Sequence, residues 1–201
     1  MKKFTLVAAT AVMSIAFGAI AADTRPAPDF KGTDAEGKEH SLADYKSKVV
    51  VLEFTNPGSP ASGKPGCPFM VGRYEKGAMQ KVQDKVKSMG AEYLAVNSSG
   101  FNTAEDSKQI SQKYSIKVPT LVDSDGTIGH AFGAATTPHM FVIGKDGNIA
   151  YEGALNDNAS PDADKDASAK NYVEEAVAAA VKGEAPAVTK TKSYGCGVKY
   201  K

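Results

Sequence analysis

Cys67 is the residue whose surroundings most suggest chemistry, because Pro68 follows it at once and an amphipathic run follows that. Proline is favoured at the first position of a helix, where its missing N–H would have no intrahelical partner in any case. The pair therefore predicts Cys67 at a helix N-cap. Unpaired backbone N–H groups and the positive end of the helix dipole favour a thiolate there, lowering its pKa toward the range in which sulfur attacks at neutral pH. The preceding loop, Asn56 to Gly66, holds Pro57, Gly58, Pro60, Gly63, Pro65 and Gly66. That density excludes helix and strand and is expected to leave the sulfur reachable. The competing reading is a buried structural cysteine, the commoner fate of a lone one. The helix-start position favours a reactive sulfur.

The second sulfur is Cys196, in Tyr194-Gly195-Cys196-Gly197. Two flanking glycines allow the backbone to turn tightly and approach another surface. Gly183 to Lys192, with Pro186 and no hydrophobic pattern, is a loose connection. If the tail folds back, a Cys67–Cys196 bridge would contribute about 4 to 5 kcal/mol in the chain-entropy model. Against it stands a tail thiol that packs locally or pairs with another chain, since connectivity is not readable from spacing. Thr137-Pro138 opens a later strand and is a candidate cis peptide, although trans prevails for most such bonds. His139 is a candidate for proton transfer with Cys67, or a polar residue of the core.

Other patterns lead nowhere. Asp162, Asp164 and Asp166 copy the first ligands of a calcium loop, but Ala167 stands where the turn glycine belongs and Val173 where the closing Glu belongs. His40, His130 and His139 show no ligand spacing with either cysteine, so no metal and no cofactor is expected.

Positioning these sulfurs requires an α/β framework. The chain has 201 residues, enough for one domain with a full core. Residues 1–21 read as a cleaved signal peptide: Lys2 and Lys3, an apolar run from Phe4 to Ile20, and the small-x-small spacing of Ala19 and Ala21. The expected location is therefore periplasmic or secreted, an oxidising setting where paired sulfurs persist. Cleavage removes two lysines and no acid, turning a formal charge of +1 into −1. That balance offers no attraction to nucleic acid or an anionic membrane. Residues 22–185 are expected to form the domain, and residues 186–201 its tail.

Within the domain, Lys31 to Tyr45 reads as a loose hairpin with a helical turn, and Val49 to Phe54 as a central strand buried on both faces. Val71, Tyr74, Ala78, Val82, Val86 and Met89 recur at helical spacing and predict one long helix from Cys67 to a cap at Gly90. Ala91 to Val96 reads as a strand, Thr103 to Tyr114 as a helix capped by Thr103, and Thr120 to Val122 as a short strand. Pro138 to Ile143 and Ile149 to Tyr151 flank an Asp146-Gly147 turn. Asn156 to Asp166 reads as an acidic loop, and Tyr172 to Val181 as a last helix ended by Gly183. This order describes a mixed sheet flanked by helices.

With these elements in place, the chain resembles the thioredoxin-like superfamily, and within it the exported redoxin or alkyl hydroperoxide reductase-like (peroxiredoxin-like) group. The matching pieces are Ala27-Pro28-Asp29-Phe30, Gly37 to Leu42, Glu53-Phe54-Thr55-Asn56, Gly66-Cys67-Pro68-Phe69, Asn97-Ser98-Ser99, Thr137 to Ile143 and Tyr194 to Tyr200. The resemblance implies a three-layer thioredoxin-like fold with Pro138 cis beside Cys67. Two departures bear on activity. Reductases of the superfamily carry a second cysteine three residues on, where this chain has Met70, and peroxiredoxins carry Thr or Ser three residues before the peroxidatic cysteine, where it has Lys64. The expected function is thus a thiol oxidoreductase in which the Cys67 thiolate attacks a disulfide or oxidant, and Cys196 or an external thiol resolves the product. Its partners would be protein or small-molecule thiols and disulfides. A peroxidase and a non-catalytic binding module with a structural disulfide remain the alternatives.

Overall fold

The computed structural model describes residues 25–201, so the expected leader lies outside the described residues. The chain runs β1 (Lys31–Thr33), β2 (Glu39–Ser41), a 3-10 turn (Leu42–Tyr45), β3 (Val50–Phe54), α1 (Pro68–Glu75), α2 (Ala78–Ser88), β4 (Glu92–Asn97), α3 (Ala104–Tyr114) and β5 (Thr120–Val122). It continues through α4 (Thr127–Phe132), β6 (Thr136–Thr137), β7 (His139–Ile143), β8 (Ile149–Gly153), a 3-10 segment (Ala163–Ser168), α5 (Tyr172–Lys182) and β9 (Cys196–Gly197).

The β-branched run of β3 becomes the middle of a five-stranded sheet, β5-β4-β3-β7-β8. β3, β4 and β5 run parallel, while β7 and β8 run antiparallel. Alternation then divides the core. Val50, Leu52 and Phe54 join Phe132 and Phe141 under α4 and the N-terminal hairpin. Val51 faces the opposite layer, with Met70, Tyr74, Val86, Ile110 and Val177 from α1, α2, α3 and α5. The mixed α/β, thioredoxin-like architecture is thereby formed, with helices on both faces.

The long helix expected from Cys67 to Gly90 is two helices. Gly77 adopts φ +71 between α1 and α2, a left-handed conformation that ends one helix and starts the next. The Tyr74 carbonyl at the break accepts the Gly77 N–H at 3.2 Å and the side-chain amide of Gln80 at 3.0 Å. The apolar spacing carries on across the break, which is why periodicity alone reads as one helix. Sequence patterning does not reveal α4, the 3-10 segment that begins inside the expected acidic loop, or the short paired strands β6 and β9.

Candidate active site

Cys67 caps α1 with extended backbone (φ −67, ψ 123), its carbonyl receiving the N–H groups of Met70 and Val71 at 2.8 and 2.9 Å. Its own N–H donates to the Asn56 carbonyl at 2.8 Å, tying the helix start to the end of the central strand. The loop between them is closely folded. A Cβ on Gly66 would stand 2.5 Å from the Pro57 carbonyl, and Asp106 of α3 accepts the Ala61 N–H at 2.8 Å.

The Cys67 sulfur is not open to solvent: the residue is 2% exposed, contrary to the expectation from its loop. The tail covers it. Residues 189–191 run beside β8, where Glu152 N–H donates to Thr189 O and Thr191 N–H to Glu152 O, both at 3.0 Å. The chain then crosses to pair β9 with β6 antiparallel, placing Cys196 opposite Thr137. The Thr137 carbonyl accepts the Cys67 thiol proton (3.1 Å), and the Cys196 backbone N–H donates to the Cys67 sulfur (3.4 Å). Both cysteines are free thiols, Cys196 only partly buried.

This setting separates the two sulfurs electrostatically. Burial pushes the Cys67 thiol up, but the side chains of Cys196 and Thr137 and the backbone N–H groups of Cys196 and Phe69 outweigh it and hold it below the ordinary thiol value. Cys196 goes the other way, pushed up to about 11 by burial and by the hydrogen bond and charge of Cys67. Of two neighbouring thiols, Cys67 gives up its proton first.

The tail is anchored on both sides of Cys196. Upstream, Tyr194 donates to the Asn156 side chain at 2.6 Å and its ring packs on Phe69. The Arg73 guanidinium lies 5.4 Å from that ring centroid. Arg73 is wholly buried and also donates to the carbonyls of Phe69 (3.0 Å), Asn158 (3.0 Å) and Ser160 (3.3 Å) and to Asp166. Downstream, Val198 N–H meets the Ala135 carbonyl at 3.1 Å, and Tyr200 stacks on His130 and donates to the Ala134 carbonyl at 2.8 Å. Gly129 makes room for that ring: a Cβ there would meet the Tyr200 hydroxyl at 2.5 Å.

The remaining candidates separate clearly. The Thr137–Pro138 peptide is cis, and its carbonyl side reaches Cys67. His139 accepts the Ala135 N–H at 3.2 Å through Nδ1 and packs on Phe141; no hydrogen bond joins it to Cys67 among the described residues. Burial brings it down to about 4. Met70 is buried in the core, and Lys64 is exposed at a turn closed by Ser59 N–H to Lys64 O (2.9 Å). Asp166 serves Arg73, and Asp162 caps the 3-10 segment through the Asp164 N–H. Sequence reasoning missed Thr137 as a sulfur partner and the Arg73–Tyr194 contact. One signal was present: Arg73 occupies the helix face of Met70 and Tyr74, where an apolar residue is expected.

The sequence model described as "AhpC/TSA family" matches residues 24–152. Thiol-disulfide oxidoreductase ResA of Bacillus thuringiensis subsp. konkukian is 30% identical over 128 residues, 64% of this chain and 67% of that one. Among solved structures, a hypothetical protein from Sinorhizobium meliloti 1021 superposes with a TM-score of 0.74 at 28% identity, over 89% of this chain and 94% of that one. Peroxidoxin BcpB from Mycobacterium tuberculosis shares the fold, with a TM-score of 0.52 at 20% identity over 80% of this chain and 96% of its own. Cys196 and its tail lie beyond the residues matched by the family.

Proposed function

The chain belongs to the AhpC/TSA family, and on that premise we propose that it is an exported thiol-disulfide oxidoreductase whose Cys67 and Cys196 form one redox pair. The observation that carries this reading is the 3.4 Å contact from the Cys196 N–H to the Cys67 sulfur, which brings together two thiols of opposed acidity. A low-pKa sulfur is both a competent nucleophile and a good leaving group in thiol–disulfide exchange. The 30% identical relative named as a thiol-disulfide oxidoreductase supports the same chemistry. Protein or small-molecule thiols and disulfides are the substrates, and the Lys2-Lys3 start with its apolar run directs the chain to an oxidising compartment.

The test is alkylation of the reduced protein across pH, followed residue by residue by mass spectrometry. Cys67 should titrate below an ordinary thiol, and oxidation should remove both thiols together. A Cys67 that alkylates with an ordinary or raised pKa overturns the enzyme assignment. Export is tested separately by the N-terminus of protein made in a bacterial host, expected at Ala22.

A further inference from the structure

In a disulfide, the nucleophile must approach one sulfur in line with the S–S bond, from the side opposite the departing sulfur; which sulfur is attacked therefore depends on access as well as on the acidity of the leaving thiol. For the Cys67–Cys196 pair the two directions of approach differ sharply. Cys67 is 2% exposed and belongs to the buried cluster that includes Met70 and Tyr74. An attack on its sulfur would have to come from the side away from the tail, which is that cluster.

Cys196, in the strand that covers Cys67, is the more exposed of the two, being only partly buried. Its neighbours carry no side chains. A Cβ on Gly195 would collide with the Thr137 carbonyl, and Gly197 is exposed, with nothing nearer than 3.9 Å to a Cβ built there. Gly195 lets the strand lie flat on Thr137, and with glycine on either side no adjacent side chain overhangs Cys196. The anchors at Tyr194 and Tyr200 hold the strand in place on either side, so Cys67 stays covered while Cys196 is presented.

We propose that external thiols exchange with this protein at Cys196, through a mixed disulfide on the tail, with Cys67 as the internal sulfur. This rests on the redox pair read above. An external thiolate bonds to the Cys196 sulfur, the Cys67–Cys196 bond breaks, and its electron pair departs on Cys67. The Cys196 N–H and the other donors around Cys67 receive that negative charge. A second external thiolate then attacks the external sulfur of the mixed disulfide, and Cys196 leaves and takes a proton. Two external thiols become one disulfide, and the protein is reduced to the dithiol. Reduction of an external disulfide follows the same steps in reverse, with Cys67 closing the ring onto Cys196. Electrons thus enter and leave through a sulfur outside the segment matched by the family.

The experiment uses the full chain, oxidised to the intramolecular disulfide and exposed briefly to limiting reduced glutathione. It is then acid-quenched, alkylated and mapped by peptide mass spectrometry. The expected result is a glutathione adduct on Cys196 in about tenfold or greater excess over Cys67. An adduct on Cys67 in equal or greater amount overturns the proposal. Failure of the oxidised chain to form the intramolecular disulfide also overturns it, while the alkylation profile of Cys67 decides the oxidoreductase reading independently.

Discussion

The guanidinium of Arg73 lies 5.4 Å from the ring centroid of Tyr194, joining the helix that starts at Cys67 to the tail that carries Cys196. Arg73 shares the buried face of Met70 and Tyr74 in α1. One buried cation thus contacts both the helix behind Cys67 and the tail ahead of Cys196.

Tyr194→Ala should loosen the tail. A desolvated cation–π contact is worth about 2 kcal/mol, so Cys67 in the reduced variant should alkylate roughly tenfold faster or more. Tyr194→Phe keeps the ring over Arg73 but loses the 2.6 Å bond to Asn156 and should fall between parent and Ala variant. Peptide-resolved alkylation rates check this; equal rates in all three proteins would show that Tyr194 does not hold the cover down.

Cys196→Ala should raise the pKa of Cys67. Burial already pushes that thiol up, and the Cys196 side chain is foremost among the groups opposing it. Titration of thiolate ultraviolet absorbance should show the midpoint moving to higher pH, with less thiolate at neutrality. An unchanged or lower midpoint contradicts the electrostatic account of the pair.

His139 should make the protein less stable in mild acid. Burial lowers its folded pKa from 6.5 to about 4, so the unfolded chain binds the extra proton between those values. Its contribution is therefore complete above about pH 6.5 and is lost as pH falls toward 4, amounting to about 3 kcal/mol at most. Urea denaturation of parent and His139→Gln across this range should show the slope diminished in the variant.

Hydrogen peroxide should be consumed no faster by the parent than by Cys67→Ser. Lys64, at the position where peroxiredoxins place Thr or Ser, is exposed in its turn, and Cys67 is covered. A Cys67-dependent loss of peroxide, followed by a peroxide electrode, would establish the peroxidase alternative instead.

The framework was legible wherever burial follows a simple period. The β-branched Val49 to Phe54 run reads as the centre of the sheet because that strand is covered on both faces, and Thr103 reads as a cap because its side chain accepts the Asp106 N–H at 3.1 Å. Legibility ended where a single backbone conformation outweighed the pattern. Gly77 breaks an otherwise continuous stripe, and the start of α4, after Gly126, is held by Asp123, which accepts the Ile128 and Gly129 N–H groups at 2.9 Å each. Cys67 was identified by Pro68, but its burial depends on Thr137 and Cys196, which lie 70 and 129 positions away. Contacts of that range leave no local trace in composition.

The pairing of Thr136–Thr137 with Cys196–Gly197 also bears on how the protein would age. Proteolytic clipping ahead of Ser193 would strip the partner from a short ribbon beside an apolar surface, and bare main-chain edges of that kind template association with neighbouring molecules. Damage to the last few residues would then be felt as aggregation as well as lost turnover.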